Sequence, residues 1–254
     1  MAITRKKPSA SAAFDASGYI RSVTLKRDLV PSFRDYPFNI PAVSKLKNLS
    51  FHKHVTFFVG ENGSGKSTLV EAIAVVAGYN AEGGSKNYDF ATRRSESSLQ
   101  DALGIARGTP RERDGYFLRA ESFYNLATYA EDIEAKGLGD VSLHEQSHGE
   151  SFIALVSNRF RGNGLYILDE PEAALSPSRQ LLLLGLIHQL ACNKNSQFII
   201  ATHSPILLAY PNAIIYGLDQ SGIAPIAYED TEHFKVTLDF LSNREAYLRH
   251  LCQP

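Results

Sequence analysis

The sequence predicts an α/β domain in which a mixed sheet is flanked by helices, and three observations carry that prediction. The runs Val55-Thr56-Phe57-Phe58-Val59, Leu165-Tyr166-Ile167-Leu168 and Phe198-Ile199-Ile200-Ala201-Thr202 are short and almost wholly apolar, as strands buried on both faces are. The first run leads through a glycine-rich loop directly into Ser67 to Ala77, which reads as a helix rich in apolar residues. The second ends in Asp169-Glu170 and the third in His203-Ser204-Pro205, so reactive side chains gather at strand ends.

The glycine loop is the most specific of these signals. Val59-Gly60-Glu61-Asn62-Gly63-Ser64-Gly65-Lys66-Ser67-Thr68 is a complete P-loop set between strand and helix, the context the motif requires. Gly60, Gly63 and Gly65 let successive N–H groups turn inward around phosphates, and the helix dipole adds positive potential there. Lys66 is expected to reach the β- and γ-phosphates, and the Ser67 hydroxyl to hold Mg²⁺. The chain is therefore expected to bind ATP or GTP, with Gly60 to Thr68 as the nucleotide cradle. In the second strand, Asp169 is suited to hold Mg²⁺ through water and Glu170 to polarise the attacking water. A solvated acidic turn continuing to Glu172 is the alternative for that stretch.

Upstream lies Leu143-His144-Glu145-Gln146-Ser147-His148-Gly149-Glu150-Ser151, followed by Phe152 to Phe160 with helical periodicity. By itself this is a capped helix, with Ser147 as N-cap and Glu150 completing a capping box. In the order P-loop, this segment, carboxylate strand, His203, the chain resembles the ABC ATPase superfamily, whose signature reads LSGGQ. Ser147 matches its serine, Gly149 its second glycine and Glu150 its glutamine position; Gln146 and His148 depart from it.

The resemblance implies a P-loop NTPase of ABC ATPase type with a small helical subdomain carrying the signature. It implies that Ser147 and Gly149 grip the nucleotide of a second subunit, that His203 contacts the γ-phosphate and attacking water, and that ATP is the nucleotide. Lys66, Glu170 and His203 are then the catalytic set, and Ser67, Asp169 and Glu121 the candidate Mg²⁺ ligands. Glu121 stands where the family has its Q-loop glutamine, and a plain surface carboxylate is the other reading. Ser176 occupies a D-loop position that is often Asp. Tyr36 or Phe38 could stack on adenine by position.

The close matches around Phe117 to Phe123, Ser142 to Phe152 and Leu168 to Pro177 are similar to stand-alone bacterial ATPases grouped with RecF, SMC and OLD-type heads. The spacing from Thr68 to Ser147 leaves no room for coiled-coil arms, and no Cys-x-x-Cys hook exists.

At 254 residues with 44% apolar composition, residues 18–254 fit one domain, with the helical subdomain inserted at about 79–150. Residues 1–17, rich in Ala, Ser and Lys, lack the apolar core of a secretory signal and read as a disordered leader. Loops are expected from Gly78 to Asp114 with a helix near Leu99 to Ala106. Tyr116 to Ala120 is strand-like, and Ala213 to Gly217 and Ile223 to Tyr228 are expected strands closing the sheet. In the tail, Phe234, Leu238 and Leu241 share a helical face, and Tyr247, Leu248 and Leu251 form a last apolar turn.

The net charge is −1, but Arg5, Lys6, Lys7, Arg21, Lys26, Arg27, Arg34, Lys45, Lys47 and Lys53 face only Asp15, Asp28 and Asp35 in residues 1–54. That bias permits nucleic-acid contact; a solvated basic face explains it as well. Cys192 and Cys252 suit a reduced cytoplasm, and no apolar run is long enough to span a membrane. The expected function is an ATP-hydrolysing switch that forms a homodimer on ATP and acts on nucleic acid or a protein effector, as in repair or phage defence. The alternatives are the ATPase subunit of a transporter or an ATP-dependent binding module with little turnover. The degenerate signature, Glu121 and Ser176 weigh against a transporter, and Glu170 and His203 against a non-hydrolysing module.

Overall fold

The computed structural model describes residues 18–86, 98–120 and 148–252. The leader, Glu121 and Ser147 lie outside the described residues.

Two sheets are stacked through a helix. The larger has six strands: β3 (Val55–Gly60), β5 (Asp114–Arg119), β6 (Gly164–Asp169), β7 (Gln197–Ala201), β8 (Ile214–Asp219) and β9 (Gly222–Pro225), in the order β5-β6-β7-β3-β8-β9. All neighbours are parallel except β9, which returns antiparallel to β8. The smaller sheet is antiparallel, with β1 (Ile20–Leu25) between β2 (Asn48–Ser50) and β4 (Leu103–Arg107). The helices are α1 (Pro41–Ser44), α2 (Lys66–Ala77), α3 (Leu99–Ala102), α4 (His148–Arg159), α5 (Pro177–His188), α6 (Pro205–Leu208), α7 (Glu232–Ser242) and α8 (Arg244–Leu251).

The apolar runs are continuous because both faces of the large sheet are covered, and successive residues alternate between two cores. Phe58, Ile167, Ile199 and Phe117 pack with α2 and the small sheet. Phe57, Tyr166, Leu168, Phe198, Ile200 and Tyr116 point the other way, onto α4, α5 and α6. Phe57, Phe58 and Phe198 are wholly buried, and each contributes about 1.5–3 kcal/mol of hydrophobic stabilisation. The small sheet is tied to the large one by Gln197, a buried amide. Its Oε1 accepts from Ile20 N at 2.8 Å, and its Nε2 donates to Ile20 O at 2.8 Å and His52 O at 2.9 Å. Such a satisfied buried amide fixes register as well as adding stability.

Several boundaries differ from the sequence reading. The helix expected over Leu99 to Ala106 stops at Ala102, and Leu103–Arg107 is strand β4 instead. Leu103 and Ile105 face the core while Ala106 is exposed, a period of two that satisfies pairing with β1; Gly104 disfavours continuing the helix. The strand expected over Ile223 to Tyr228 ends at Pro225, and Tyr228–Asp230 is a 3-10 turn. The span of about 79–150 assigned to an inserted helical subdomain contains β4 and β5, both paired in sheets; its stretch 121–147 lies outside the described residues. The tail is helical, as α7 and α8. Leu238 and Leu241 on α7 line an apolar groove of about 360 Å³ with Leu181, Leu184 and Phe234.

Candidate nucleotide site

Parallel strands deliver their carboxyl ends to one edge, and all the described candidate residues except Gly149 come from that edge or the loops beside it. The P-loop leaves β3 at Gly60, where an added Cβ would lie 2.4 Å from Leu218 O on β8. Close approach to the neighbouring strand, rather than a positive φ, is therefore what demands glycine there. Gly65, at φ +95, opens α2 in the left-handed region, where an L side chain would be strained. Glu61, Asn62 and Gly63 form the exposed rim, with Ser64 turned inward.

Lys66 is 4% exposed. Its Nζ donates to Gly60 O at 2.9 Å and Glu61 O at 3.2 Å. Burial pushes the ammonium's pKa down, while Glu170, Asp169, Glu172 and Glu61 pull it back up. A buried cation capped by carbonyls, beside a buried Ser64 Oγ with no hydrogen-bond partner among the described residues, is a cradle suited to an anion. Across the loop, Ser67 Oγ donates to Asp169 Oδ1 at 3.0 Å. This half-buried hydroxyl–carboxylate pair is the kind of oxygen donor set that a hard divalent cation prefers. The residues present therefore fit a nucleotide phosphate chain and Mg²⁺, with Ser67 and Asp169 as the oxygen pair for the ion. Thr68 Oγ1 lies 3.1 Å from Tyr36 OH.

Glu170 follows β6 with φ 50 and ψ 50, a left-handed conformation rare for a non-glycine residue. Its N–H is anchored to Ala201 O on β7 at 2.9 Å, and its carbonyl accepts from Ala173 N at 3.0 Å. The strained backbone aims the carboxylate at His203, whose Nε2 lies 3.4 Å from Glu170 Oε1. Such strain persists where surrounding bonds over-determine it, as they do here. His203 leaves β7 through Thr202, bonded to Phe58 O at 3.0 Å. Ser204 caps α6, accepting from Ile206 and Leu207 N–H groups, and donates to Gln180 Oε1 on α5.

Glu172 is not the solvated turn residue that the sequence left open. It is half-buried, with Oε1 accepting from His203 N. Burial pushes its carboxyl upward, partly offset by the His203 and Thr202 donors. Arg119, which sequence reading passed over, ends β5 in register with Asp169. Its guanidinium pairs with Glu71 at 2.6 Å and lies 3.7 Å from Asp169 Oδ2; the signal was a cation two residues before Glu121. His233 was also missed. It lies on α7, with Nε2 2.7 Å from His203 Nδ1, and 30 residues of separation left no local pattern to find it.

The remaining expectations divide clearly. Phe38 is 1% exposed and belongs to the core, so it is not free to stack on a base. Tyr36 is 64% exposed and stays available. Gly149, in the first turn of α4, packs against Arg179 and Ala174 O, where a Cβ would come within 2.7–3.0 Å. Gly149 thus rests against the turn after β6 and the start of α5 of its own chain. Ser176 precedes α5 as its N-cap residue without a side-chain capping bond. No helix among the described residues is long and apolar enough to cross a membrane.

A parallel sheet, a P-loop opening its first long helix and a carboxylate–histidine edge define a P-loop nucleotide-binding domain of ABC ATPase type. A family model described as "AAA domain, putative AbiEii toxin, Type IV TA system" matches residues 108–209, and one described as "AAA domain" matches residues 33–136. The thiamine import ATP-binding protein ThiQ of Cereibacter sphaeroides is 30% identical over 161 residues, covering 58% of this chain and 69% of ThiQ. The nisin transport ATP-binding protein NisT of Lactococcus lactis subsp. lactis is 29% identical over 197 residues, 65% of this chain. The chain spans about a third of NisT, 32% of its length. Among solved structures, CbiO1 from Clostridium perfringens, part of the ABC transporter complex CbiONQ, superposes with a TM-score of 0.53 at 16% identity. That match covers 92% of this chain and 100% of CbiO1, and it speaks to the fold. The chain belongs to the ABC/AAA P-loop ATPase family.

Proposed function

We propose that this protein hydrolyses ATP with Mg²⁺ and uses the cycle as a dimerisation switch. The observation that carries the reading is the convergence of Lys66, the Ser67–Asp169 pair, Glu170 and His203 at one sheet edge, brought together from the ends of three strands, β3, β6 and β7. Gly60 to Thr68 would hold the phosphates, and Ser67 and Asp169 the ion, with Glu121 a third candidate ligand. When bound, Mg-ATP supplies the phosphoanhydride and the cation that neutralises its charge. Lys66 stabilises charge on the transferred group, Glu170 accepts a proton from the attacking water, and His203 orients that water.

The site would be completed by Ser147 and Gly149 of a second copy, as the resemblance to ABC ATPases implies. The test is light scattering on a Glu170→Gln variant with Mg-ATP: a dimer is expected, and a monomer at every concentration would refute the switch. The cytoplasm, with a nucleic acid or protein effector as target, fits the basic amino-terminal bias. A second reading, the ATPase subunit of a transporter, is favoured by the similarity to NisT and ThiQ, whose names place them in transport. A membrane protein copurifying with Glu170→Gln would select it.

A further inference from the structure

We propose that His233 is a positioning residue for His203, holding it in the tautomer that turns an N–H at Nε2 toward the Glu170 carboxylate. The proposal rests on the ATPase reading of this site. A neutral imidazole has one donor and one acceptor nitrogen, and its partners decide which is which. His203 Nδ1 lies 2.7 Å from His233 Nε2, while His203 Nε2 lies 3.4 Å from Glu170 Oε1, within ion-pair distance though not in hydrogen-bond geometry. A carboxylate only accepts. The proton of His203 therefore belongs on Nε2, its Nδ1 lone pair accepts, and His233 Nε2–H donates. The reverse assignment would set a lone pair against the carboxylate.

The donor is held by a strut. Thr231 caps α7, its Oγ1 accepting from Phe234 N and donating to Tyr228 O at 2.7 Å. Tyr228 OH donates to Pro205 O at 3.0 Å, two residues beyond His203. Tyr228 also packs on Phe234, with ring centroids 4.6 Å apart. Both histidines therefore hang from one framework, and a histidine fixed by an outer partner keeps its tautomer and ring plane.

The electrostatic surroundings disfavour charge on both rings. Burial and then Lys66 on α2 depress His203; Glu170 raises it and His233 depresses it further. The Glu172 carboxylate accepts from its backbone N–H. Burial likewise depresses His233, with Lys66 adding to that and Glu61 of the P-loop and Glu232 opposing it. With both imidazoles below the usual histidine range, one proton serves the contact between them.

The experiment compares His233→Leu and His233→Gln in the full chain, Gln keeping an N–H donor of similar reach. In nucleotide-free protein, imidazole ¹⁵N shifts should report His203 as the Nε2–H tautomer in the parent and Gln variant, and a mixed or Nδ1–H form in the Leu variant. ATP turnover should fall about 10–100-fold in His233→Leu, the range for losing a histidine's outer partner. KM for ATP should stay unchanged, and Gln should restore the rate. Because His233 depresses His203, the acid limb of the Leu variant's turnover profile should move to higher pH. An unchanged His203 tautomer in His233→Leu, or equal damage from Leu and Gln, overturns the proposal. Absence of turnover in the parent would instead sink the ATPase reading, leaving the ¹⁵N measurement to decide His233 alone.

Discussion

Replacing Glu170 separates the conformational cost of the site from its chemistry. At φ 50 and ψ 50 the residue sits in the left-handed region, which costs a non-glycine residue about 1–2 kcal/mol. Glycine removes that cost but loses about 0.5–1 kcal/mol more chain entropy on folding. The net gain of Glu170→Gly over Glu170→Ala, taken at the middle of both ranges, is then about 0.75 kcal/mol, since both variants lack the carboxylate and keep the N–H bond to Ala201 O. At about 2–4 °C per kcal/mol for a domain of this size, Glu170→Gly should melt roughly 1.5–3 °C above Glu170→Ala. Scanning calorimetry on nucleotide-free protein reads the difference. Both variants, like Glu170→Gln, should lose roughly 10²–10⁴-fold in turnover, the range for a lost general base. A glycine variant melting at or below the alanine variant would refute the strain argument. Normal turnover in Glu170→Gln would refute the role given to the carboxylate.

Other outcomes are as specific. Lys66→Ala should abolish ATP binding in calorimetric titration, because the buried ammonium is the cation at the centre of the cradle. Glu172→Gln should raise the melting temperature near neutral pH and lose that advantage at about pH 4. A carboxyl raised by burial in the fold contributes stability while protonated, and that contribution is lost as pH rises through its folded pKa. If nucleic acid is the target, DNA affinity should fall steeply with salt. Reversing Lys6, Lys7, Lys26 and Arg27 to Glu should then weaken it in gel shifts without altering basal hydrolysis. Arg27 is partly committed elsewhere, donating to Ser44 O at 2.9 Å and lying over the Phe33 ring, so Lys26 should carry more of the effect.

Where local structure depends on contiguous residues, the sequence was enough. Strand, glycine loop and helix are contiguous, so the P-loop and its Lys66 and Ser67 could be read directly, and so could the buried strands ending in Asp169 and His203. Continuous apolar runs identified strands covered on both faces, because burial leaves no room for polar alternation. The charge-bearing segment before the P-loop gave no such pattern: β1 is held by Gln197 and β4, both distant in sequence, and β2 in turn pairs with β1. Leu103–Arg107 went to a strand for the same reason, since pairing with β1 outweighed local helical preference. Tertiary structure alone decided that Phe38 is core and Tyr36 exposed, and that Glu172 is half-buried against the His203 backbone. It alone brought His233 against His203 and Arg119 against Asp169. Hydrogen bonds and ion pairs are set by distance in space, and only the packing of α7 and the register of β5 on β6 supply those distances.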